Sequence, residues 1–151
     1  MKVLLFHIGR ERYALPLVAV ARVLPVAQLK PLPGAPSWVP GLLDLHGAAV
    51  PVVDLSRLAG HVPEAVRYDT RILLVDYPLG DGRTRALGLK AERVTGVSVV
   101  PDAQFGPCGV TGAPWLGPVA SVDGAMLQLV TPSAMLTDEV RALLFPEETP
   151  A

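Results

Sequence analysis

Short apolar runs separated by glycine and proline dominate the pattern along this chain. Alternation and β-branched content predict strands at 3–8, 12–17, 42–46, 49–55, 71–77, 86–89, 94–100, 119–122 and 126–130. The last two flank Asp123-Gly124, a strong signal for a two-residue hairpin. About ten short strands at this spacing predict an all-β barrel pair or sandwich.

Helical periodicity occurs in two short stretches. Leu17, Val20 and Leu24 recur at helical spacing, which predicts a short helix that ends at Pro25. Near the C-terminus, Thr131 is a candidate cap and Pro132 a first helical residue. The apolar face of this second predicted helix consists of Leu136, Val140, Leu143 and Leu144.

Between two of the strands, one helical turn is predicted at 56–60. Asp54 precedes it and is expected to cap its free N–H groups. The segment from 102 to 118 is rich in glycine and proline and predicts a long loop.

Composition narrows the class of protein. The chain has 151 residues, 50% of them hydrophobic and 18% charged, with a mean hydropathy of +0.41. The length predicts one domain, or two small subdomains with a common core. The net charge of -1 lacks the basic excess of nucleic-acid binders. The only cysteine, Cys108, excludes an internal disulfide.

Membrane insertion is not expected either. The richest apolar stretch, 42–58, is interrupted by Asp44, His46, Asp54 and Arg57, whereas a spanning helix needs about 20 apolar residues. The N-terminal apolar run is interrupted by His7 and is therefore too short for a signal peptide. We therefore expect a cytoplasmic globular protein.

Candidate chemistry is sparse. No Gly-x-Ser-x-Gly elbow, phosphate-binding loop or short histidine spacing occurs, so neither catalysis nor a cofactor or metal site is predicted. Asp44 and Asp54 are a conceivable acid–base pair, although Asp54 fits a helix cap better. Trp38 and Trp115 lie in loops and serve either local packing or an interface.

The block Gly41-Leu42-Leu43-Asp44-Leu45-His46-Gly47, followed by Val50-Pro51-Val52-Val53-Asp54-Leu55, is the most distinctive in the chain. It resembles the signature of CheW-like adaptors, which reads Gly-hydrophobic-hydrophobic-Asn-Leu-Arg-Gly and then Val-Pro-Val-hydrophobic-Asp-Leu. Upstream, 13–23 fits the family's second strand and first short helix. Downstream, 70–75, 88–89 and the 123–124 hairpin keep the family's order.

The resemblance implies two tandem SH3-like five-stranded β-barrels with short helices and a C-terminal helix, and no enzymatic activity. It implies one domain over 1–151, with intertwined subdomains at about 12–70 and 71–130 in addition to the N-terminal strand and the C-terminal helix. The implied partners are the regulatory domain of a CheA-type histidine kinase and the cytoplasmic tip of a methyl-accepting chemoreceptor, with recruitment to membrane receptor arrays. An apolar groove between the barrels would accept the receptor's helical hairpin.

The partner-binding residues implied are Val20, Arg22, Val23, Leu43, Asp44, His46 and Gly47. Three of these depart from the family pattern, because Arg22 replaces a glutamate, Asp44 an asparagine and His46 an arginine. An ion pair between Arg22 and Asp44 would restore opposite charges, and it predicts non-additive losses of receptor binding. Gly47 is equally well explained by a turn that needs a positive φ.

Two alternatives to the adaptor stay open at this point. The chain would instead be a ligand-binding or enzymatic β-barrel that uses the groove with Cys108 or His46, or a detached piece of a kinase. Further similarity at Phe6-His7-Ile8-Gly9, 13–15, 115–119 and 143–146 is typical of adaptors in alternative chemosensory systems for surface sensing. Their output is a response regulator that makes cyclic-di-GMP.

Overall fold

The computed structural model of the protein describes residues 1–109 and 112–146. Strands dominate this part of the chain, as the sequence predicts. They are β1 (Lys2–Ile8), β2 (Glu11–Pro16), β3 (Val20–Pro25), β4 (Gly41–Leu45), β5 (Ala48–Asp54), β6 (Arg71–Gly80), β7 (Arg83–Val99), β8 (Leu116–Val122) and β9 (Ala125–Val130). Two short helices, α1 (Leu55–Leu58) and α2 (Asp138–Leu144), accompany them.

The strands form two groups that share β7. In one group the order is β7-β1-β2-β9-β8, with β2 parallel to β9. In the other, β3 pairs with β6, β6 with β7, β7 with β5 and β5 with β4. Lys30 pairs with Leu42 and brings the chain after β3 back beside β4. The second group is therefore a closed ring.

The long strand β7 corrects the prediction of two separate strands at 86–89 and 94–100. Its first half pairs with β6 up to Ala91, and its second half pairs with β1 from Glu92 to Val99. Arg93 and Gly96 have φ values of +49° and +129° where the strand passes from one group to the other. Backbone bends at these residues let one strand serve both groups.

A central hydrophobic cluster ties the two groups together. Phe6, Ile8 and Leu15 from the first group pack with Leu73 and Leu89 from the second. Trp115 is buried in this cluster and Trp38 packs against it, so both tryptophans serve packing. A smaller cluster lies within each group.

The helix predicted over 17–24 is wrong. Only Leu17–Ala19 forms a 3-10 turn, and β3 follows at once. Val23 pairs with Leu73 and Leu24 with Ile72 on β6. The ladder satisfies the backbone of this β-branched stretch, and this pairing overrides its helical spacing.

The predicted start of the C-terminal helix is also wrong. Pro132–Ala134 is a separate 3-10 turn, and the Thr131 side chain makes no capping bond there. The next residue, Met135, is buried in the central cluster, and α2 begins only at Asp138. Its cap is Thr137, whose Oγ1 accepts a hydrogen bond from the Val140 N–H at 3.3 Å.

Two local predictions are confirmed. Asp123 and Gly124 have φ values of +52° and +77°, as a two-residue hairpin turn requires. The buried Asp54 carboxylate accepts hydrogen bonds from the N–H groups of Ser56 and Arg57 at the start of α1.

Candidate functional site

The turn between β4 and β5 holds three of the seven predicted binding residues. His46 and Gly47 form a two-residue loop with φ values of +51° and +88°. The Asp44 carboxylate accepts a hydrogen bond from the Gly47 N–H at 2.9 Å and closes the turn. The positive φ predicted for Gly47 is confirmed, and the exposed His46 is held in a backbone region where histidine is tolerated.

A cavity of about 350 Å³ lies beside this turn. Asp44 and Gly47 line it together with Gln28 and Lys30 from the segment after β3. We call Gln28, Lys30, Asp44, His46 and Gly47 the hairpin surface. Sequence reasoning missed Gln28 and Lys30, because prolines around them interrupt any periodic pattern.

The segment that carries Lys30 approaches β4 very closely. Lys30 and Leu42 exchange backbone hydrogen bonds of 2.9 and 2.8 Å. A Cβ on Gly41 would lie 2.2 Å from the Lys30 carbonyl oxygen. Only glycine fits at position 41, so this residue permits the close approach of Lys30, which lines the cavity.

Three further predicted residues lie on β3. Val20 is half-buried against the central cluster, whereas Arg22 and Val23 are exposed. The pairing register with β6 shifts between Val20 and Arg22, which marks a bulge at Ala21. A bulge reorients neighbouring side chains, and here it precedes two exposed ones.

The structure does not bring Arg22 and Asp44 together. Within residues 1–109 and 112–146 no ion pair of 4.0 Å or less joins them. Asp44 is engaged in its own turn, and the basic residue that lines the same cavity is Lys30. The hypothetical Arg22–Asp44 ion pair is therefore not formed in this chain alone.

Leu43 differs from the other predicted residues because it is buried. Its side chain packs with Val50, Val52, Ile72 and Leu74 inside the closed ring. A partner can reach it only through the cavity that it helps to line.

Exposed apolar residues collect at one end of β1. Val18, in the 3-10 turn before β3, is 98% exposed. Val97 and Val99 are exposed on β7 opposite Leu4 and Lys2, and Met1 lines a cavity of about 400 Å³ with Val18. We call Met1, Val18, Val97 and Val99 the valine surface. Sequence reasoning missed it because the helix predicted there was wrong.

A second group of exposed apolar residues lies at the other end of β1. Val62, Val66 and Tyr68, which we call the loop surface, lie in the irregular segment between α1 and β6. The neighbouring His61 ring is 3.2 Å from where a Cβ on Gly9 would lie, just after β1. The segment that carries the loop surface therefore begins beside the end of β1 that is remote from Met1.

Buried polar contacts hold this loop. Glu92 on β7 is only 7% exposed and accepts hydrogen bonds from the Ser56 hydroxyl and from the Glu64 N–H, the latter at 2.8 Å. Arg93 forms an ion pair with Glu64 at 3.0 Å. The loop that presents the apolar side chains is thus fastened to the shared strand.

The described residues lack a metal-ligand cluster and a membrane-spanning helix. Across them, no three His, Cys, Asp or Glu side chains are grouped to hold a metal ion, and Cys108 is exposed and free. In the same part of the chain, no helix has the length and apolarity to cross a membrane. Groups of exposed apolar residues, such as the valine and loop surfaces, are typical of protein-binding modules.

Comparison with known proteins agrees with this class. The family profile described as "CheW-like domain" matches residues 2–140. The chemotaxis protein CheW of Rhizobium meliloti is 24% identical over 140 residues, which cover 90% of this chain and 87% of the relative. The Klebsiella aerogenes chemotaxis protein CheW is 26% identical over 145 residues, covering 93% and 84%.

The solved structure of the scaffolding protein TtCheW from Thermoanaerobacter tengcongensis shares the fold. It superposes with a TM-score of 0.82 at 23% identity, covering 92% of this chain and 89% of that one. The chain belongs to the CheW-like domain family. It is a non-catalytic adaptor that links chemoreceptors to a CheA-type histidine kinase. The enzyme alternative is thereby removed.

Proposed function

We propose that the receptor and the kinase dock at opposite ends of β1. The receptor tip binds the valine surface together with Arg22 and Val23 on β3 and the hairpin surface beyond the other end of β3. The regulatory domain of the kinase binds the loop surface. One observation carries this proposal: seven of the ten exposed large apolar side chains among the described residues belong to the valine and loop surfaces, which lie towards opposite ends of this strand.

The separation of the two groups supports simultaneous binding. β1 has seven residues, and a strand rises about 3.3 Å per residue, so its ends are roughly 20 Å apart. Two partners of ordinary interface size can then contact one small protein without competing for the same side chains. An adaptor needs this property to form a three-part complex.

The receptor side combines apolar and polar contacts. Val18 and Val23 offer apolar area to the face of a helical hairpin. Arg22 lies beside Val23, and Asp44 and Lys30 line the neighbouring cavity. Charged groups around an apolar centre favour one orientation of the partner.

Two matched variants test the assignment. Val18→Asp places a charge in the receptor face, and Tyr68→Asp does so in the loop surface. Each should weaken binding of its own partner by about tenfold or more and leave the other unchanged. Isothermal titration calorimetry with the purified receptor tip and the purified kinase regulatory domain measures both.

Met126→Asp is the control, because Met126 is an exposed apolar residue on β9 outside both surfaces. It should leave both affinities unchanged. The proposal is wrong if Val18→Asp and Tyr68→Asp weaken the same partner, or if neither has an effect beyond that of Met126→Asp.

We further propose that this adaptor serves an alternative chemosensory system with cyclic-di-GMP output and is recruited to membrane receptor arrays. The segments at 6–9, 115–119 and 143–146 support the subtype. Deletion of the chain should alter cellular cyclic-di-GMP while swimming persists, and a fluorescent fusion should cluster at the membrane only when the receptor is present.

The subdomain division at 12–70 and 71–130 stays a prediction.

A further inference from the structure

Arg22 lies in the middle of the proposed receptor face. In the proposed docking, the receptor tip contacts Val18 just before β3 and the hairpin surface beyond the other end of this strand. A partner that contacts both must cross β3, where residues 21–23 are all exposed. Docking therefore displaces water from around Arg22.

The pairing register places the Arg22 side chain on the side of β3 that faces the inside of the closed ring. Arg22 is opposite Leu74 on β6, and Leu24 follows two residues later on the same side of β3. Leu74 belongs to the cluster inside the ring, and Leu24 packs against it. The exposed Arg22 therefore extends from an apolar base, and its flexible stem leaves the charged head free to meet a partner.

Nothing in the described part of the chain neutralises Arg22. No hydrogen bond or ion pair joins its side chain to another described residue. Two acidic residues lie on nearby elements. The Asp44 carboxylate is engaged with the Gly47 N–H at 2.9 Å, and the exposed Asp76, two residues beyond Leu74 on β6, forms no ion pair of 4.0 Å or less with Arg22.

Enclosure of an unpaired guanidinium is unfavourable. A charged group that loses its water must gain hydrogen bonds or an opposite charge, because desolvation is otherwise uncompensated. Arginine cannot avoid this cost by losing its proton. Its planar fork of N–H donors matches the two oxygens of a carboxylate, and a protein partner supplies that group as Asp or Glu.

We propose, on the basis of the docking assigned above, that the receptor tip presents an Asp or Glu carboxylate to Arg22. The carboxylate accepts hydrogen bonds from the guanidinium, while apolar side chains of the tip pack on Val18 and Val23. Arg22 then selects receptors that carry an acidic side chain at this position. A basic side chain there is rejected, since like charges would be enclosed together.

Calorimetry with the full chain and the purified receptor tip measures the contribution of Arg22. Arg22→Gln should weaken binding by about threefold to tenfold, because charge-assisted hydrogen bonds are lost. Arg22→Glu should weaken it further, because two carboxylates then face each other. Arg10→Gln removes the same charge at the exposed β1–β2 turn and should bind like the parent chain. The proposal is wrong if Arg22→Gln also binds like the parent, or if Arg22→Glu is no weaker than Arg22→Gln.

A charge exchange identifies the receptor residue. Each acidic residue of the receptor tip is changed to lysine in turn, and each variant is titrated with the parent chain and with Arg22→Glu. One of them should bind Arg22→Glu more tightly than the parent chain, by about tenfold, because the exchange restores opposite charges. If every lysine variant binds the parent chain at least as well as Arg22→Glu, no carboxylate of the tip faces Arg22.

Two further variants separate the possible causes. Asp76→Asn should leave receptor binding unchanged, whereas a loss equal to that of Arg22→Gln would show that Asp76 pairs with Arg22 in place of the receptor. Val18→Asp reports on the docking assignment alone. Normal binding by Val18→Asp would overturn that assignment, while loss in Val18→Asp with normal binding by Arg22→Glu would overturn only the carboxylate contact.

Discussion

Gly41 shows at the scale of single residues how closely two backbone segments meet beside the hairpin surface. Its φ is +155°, and an added Cβ would meet the Lys30 carbonyl oxygen. We expect Gly41→Ala to lower the free energy of unfolding by about 2–3 kcal/mol, because the paired segments must separate. Urea denaturation followed by circular dichroism measures this loss.

Gly34→Ala provides the matched comparison for that variant. Gly34 also has a positive φ, +88°, but nothing lies within 4 Å of an added Cβ. Gly34→Ala should therefore lower the free energy of unfolding only through the unfavourable backbone conformation, by about 1–2 kcal/mol. Equal losses in the two variants would contradict the close approach at Gly41.

Tyrosine ionisation makes stability depend on pH. Burial raises the pKa of Tyr77 above its usual value of about 10; the nearby Arg141 opposes this shift and Asp138 reinforces it. The folded state therefore keeps this proton longer than the unfolded state. Its contribution to stability is complete below pH 10 and is lost as the pH rises through the raised pKa.

We expect Tyr77→Phe to reduce the alkaline loss of stability, since a phenylalanine has no proton to lose. Thermal unfolding between pH 8 and pH 11 measures it. The exposed Tyr68 provides the control Tyr68→Phe, which should follow the parent protein. If all three proteins lose stability in parallel above pH 10, Tyr77 is not the source.

Single residues of the candidate site were predictable only where a local rule applies. The turn at His46-Gly47 and the Asp54 cap depend on neighbours in the sequence, and both form. The positions of Gln28 and Lys30 depend on a long-range approach to β4. No local pattern encodes that approach.

At the scale of elements, the contact between the 56–64 segment and β7 depends on Glu92. Glu92→Gln replaces one accepting oxygen with a donor amide that faces the Ser56 hydroxyl or the Glu64 N–H. We expect a loss of about 1–3 kcal/mol and faster hydrogen exchange across the loop surface. Exchange mass spectrometry locates the change.

Glu64→Gln tests the outer contact of the same network. It removes the partly exposed ion pair with Arg93 but leaves the Glu64 N–H bond to Glu92. An exposed pair contributes only about 0–1 kcal/mol. A larger effect from Glu64→Gln than from Glu92→Gln would show that the buried carboxylate does not hold the loop.

Elements were predictable where the local pattern and the tertiary pairing agree. The strands at 71–77 and 126–130 have both, and they form. The segment 17–24 has a helical spacing but becomes β3, because β6 offers its backbone a ladder. The start of α2 was misplaced because the buried Met135 separates the 3-10 turn from the helix.

At the scale of the whole molecule, Arg22 and Asp44 lie on strands that are not paired with each other. We expect Arg22→Ala and Asp44→Asn to lower receptor affinity additively, within about 0.5 kcal/mol, because sites without common contacts are independent. A double-mutant cycle by calorimetry measures the coupling. A larger coupling energy would show that the receptor itself joins the two side chains.

Most of the strands follow from periodicity, but the arrangement of the strands does not. The parallel pairings of β2 with β9 and of β5 with β7 join residues that are far apart in sequence. The local strand propensity of a segment does not encode such long-range contacts. The adaptor family was recognisable because its motif at 41–55 occurs in the expected order with the flanking blocks.

The continuous strand β7 has a mechanical consequence for an adaptor held between two partners. Each group of strands is hydrogen-bonded to a different half of it. A force applied across the protein along β7 would load those ladders in shear, so many hydrogen bonds would share the load. The adaptor would then behave as a stiff link that passes displacement from receptor to kinase instead of absorbing it.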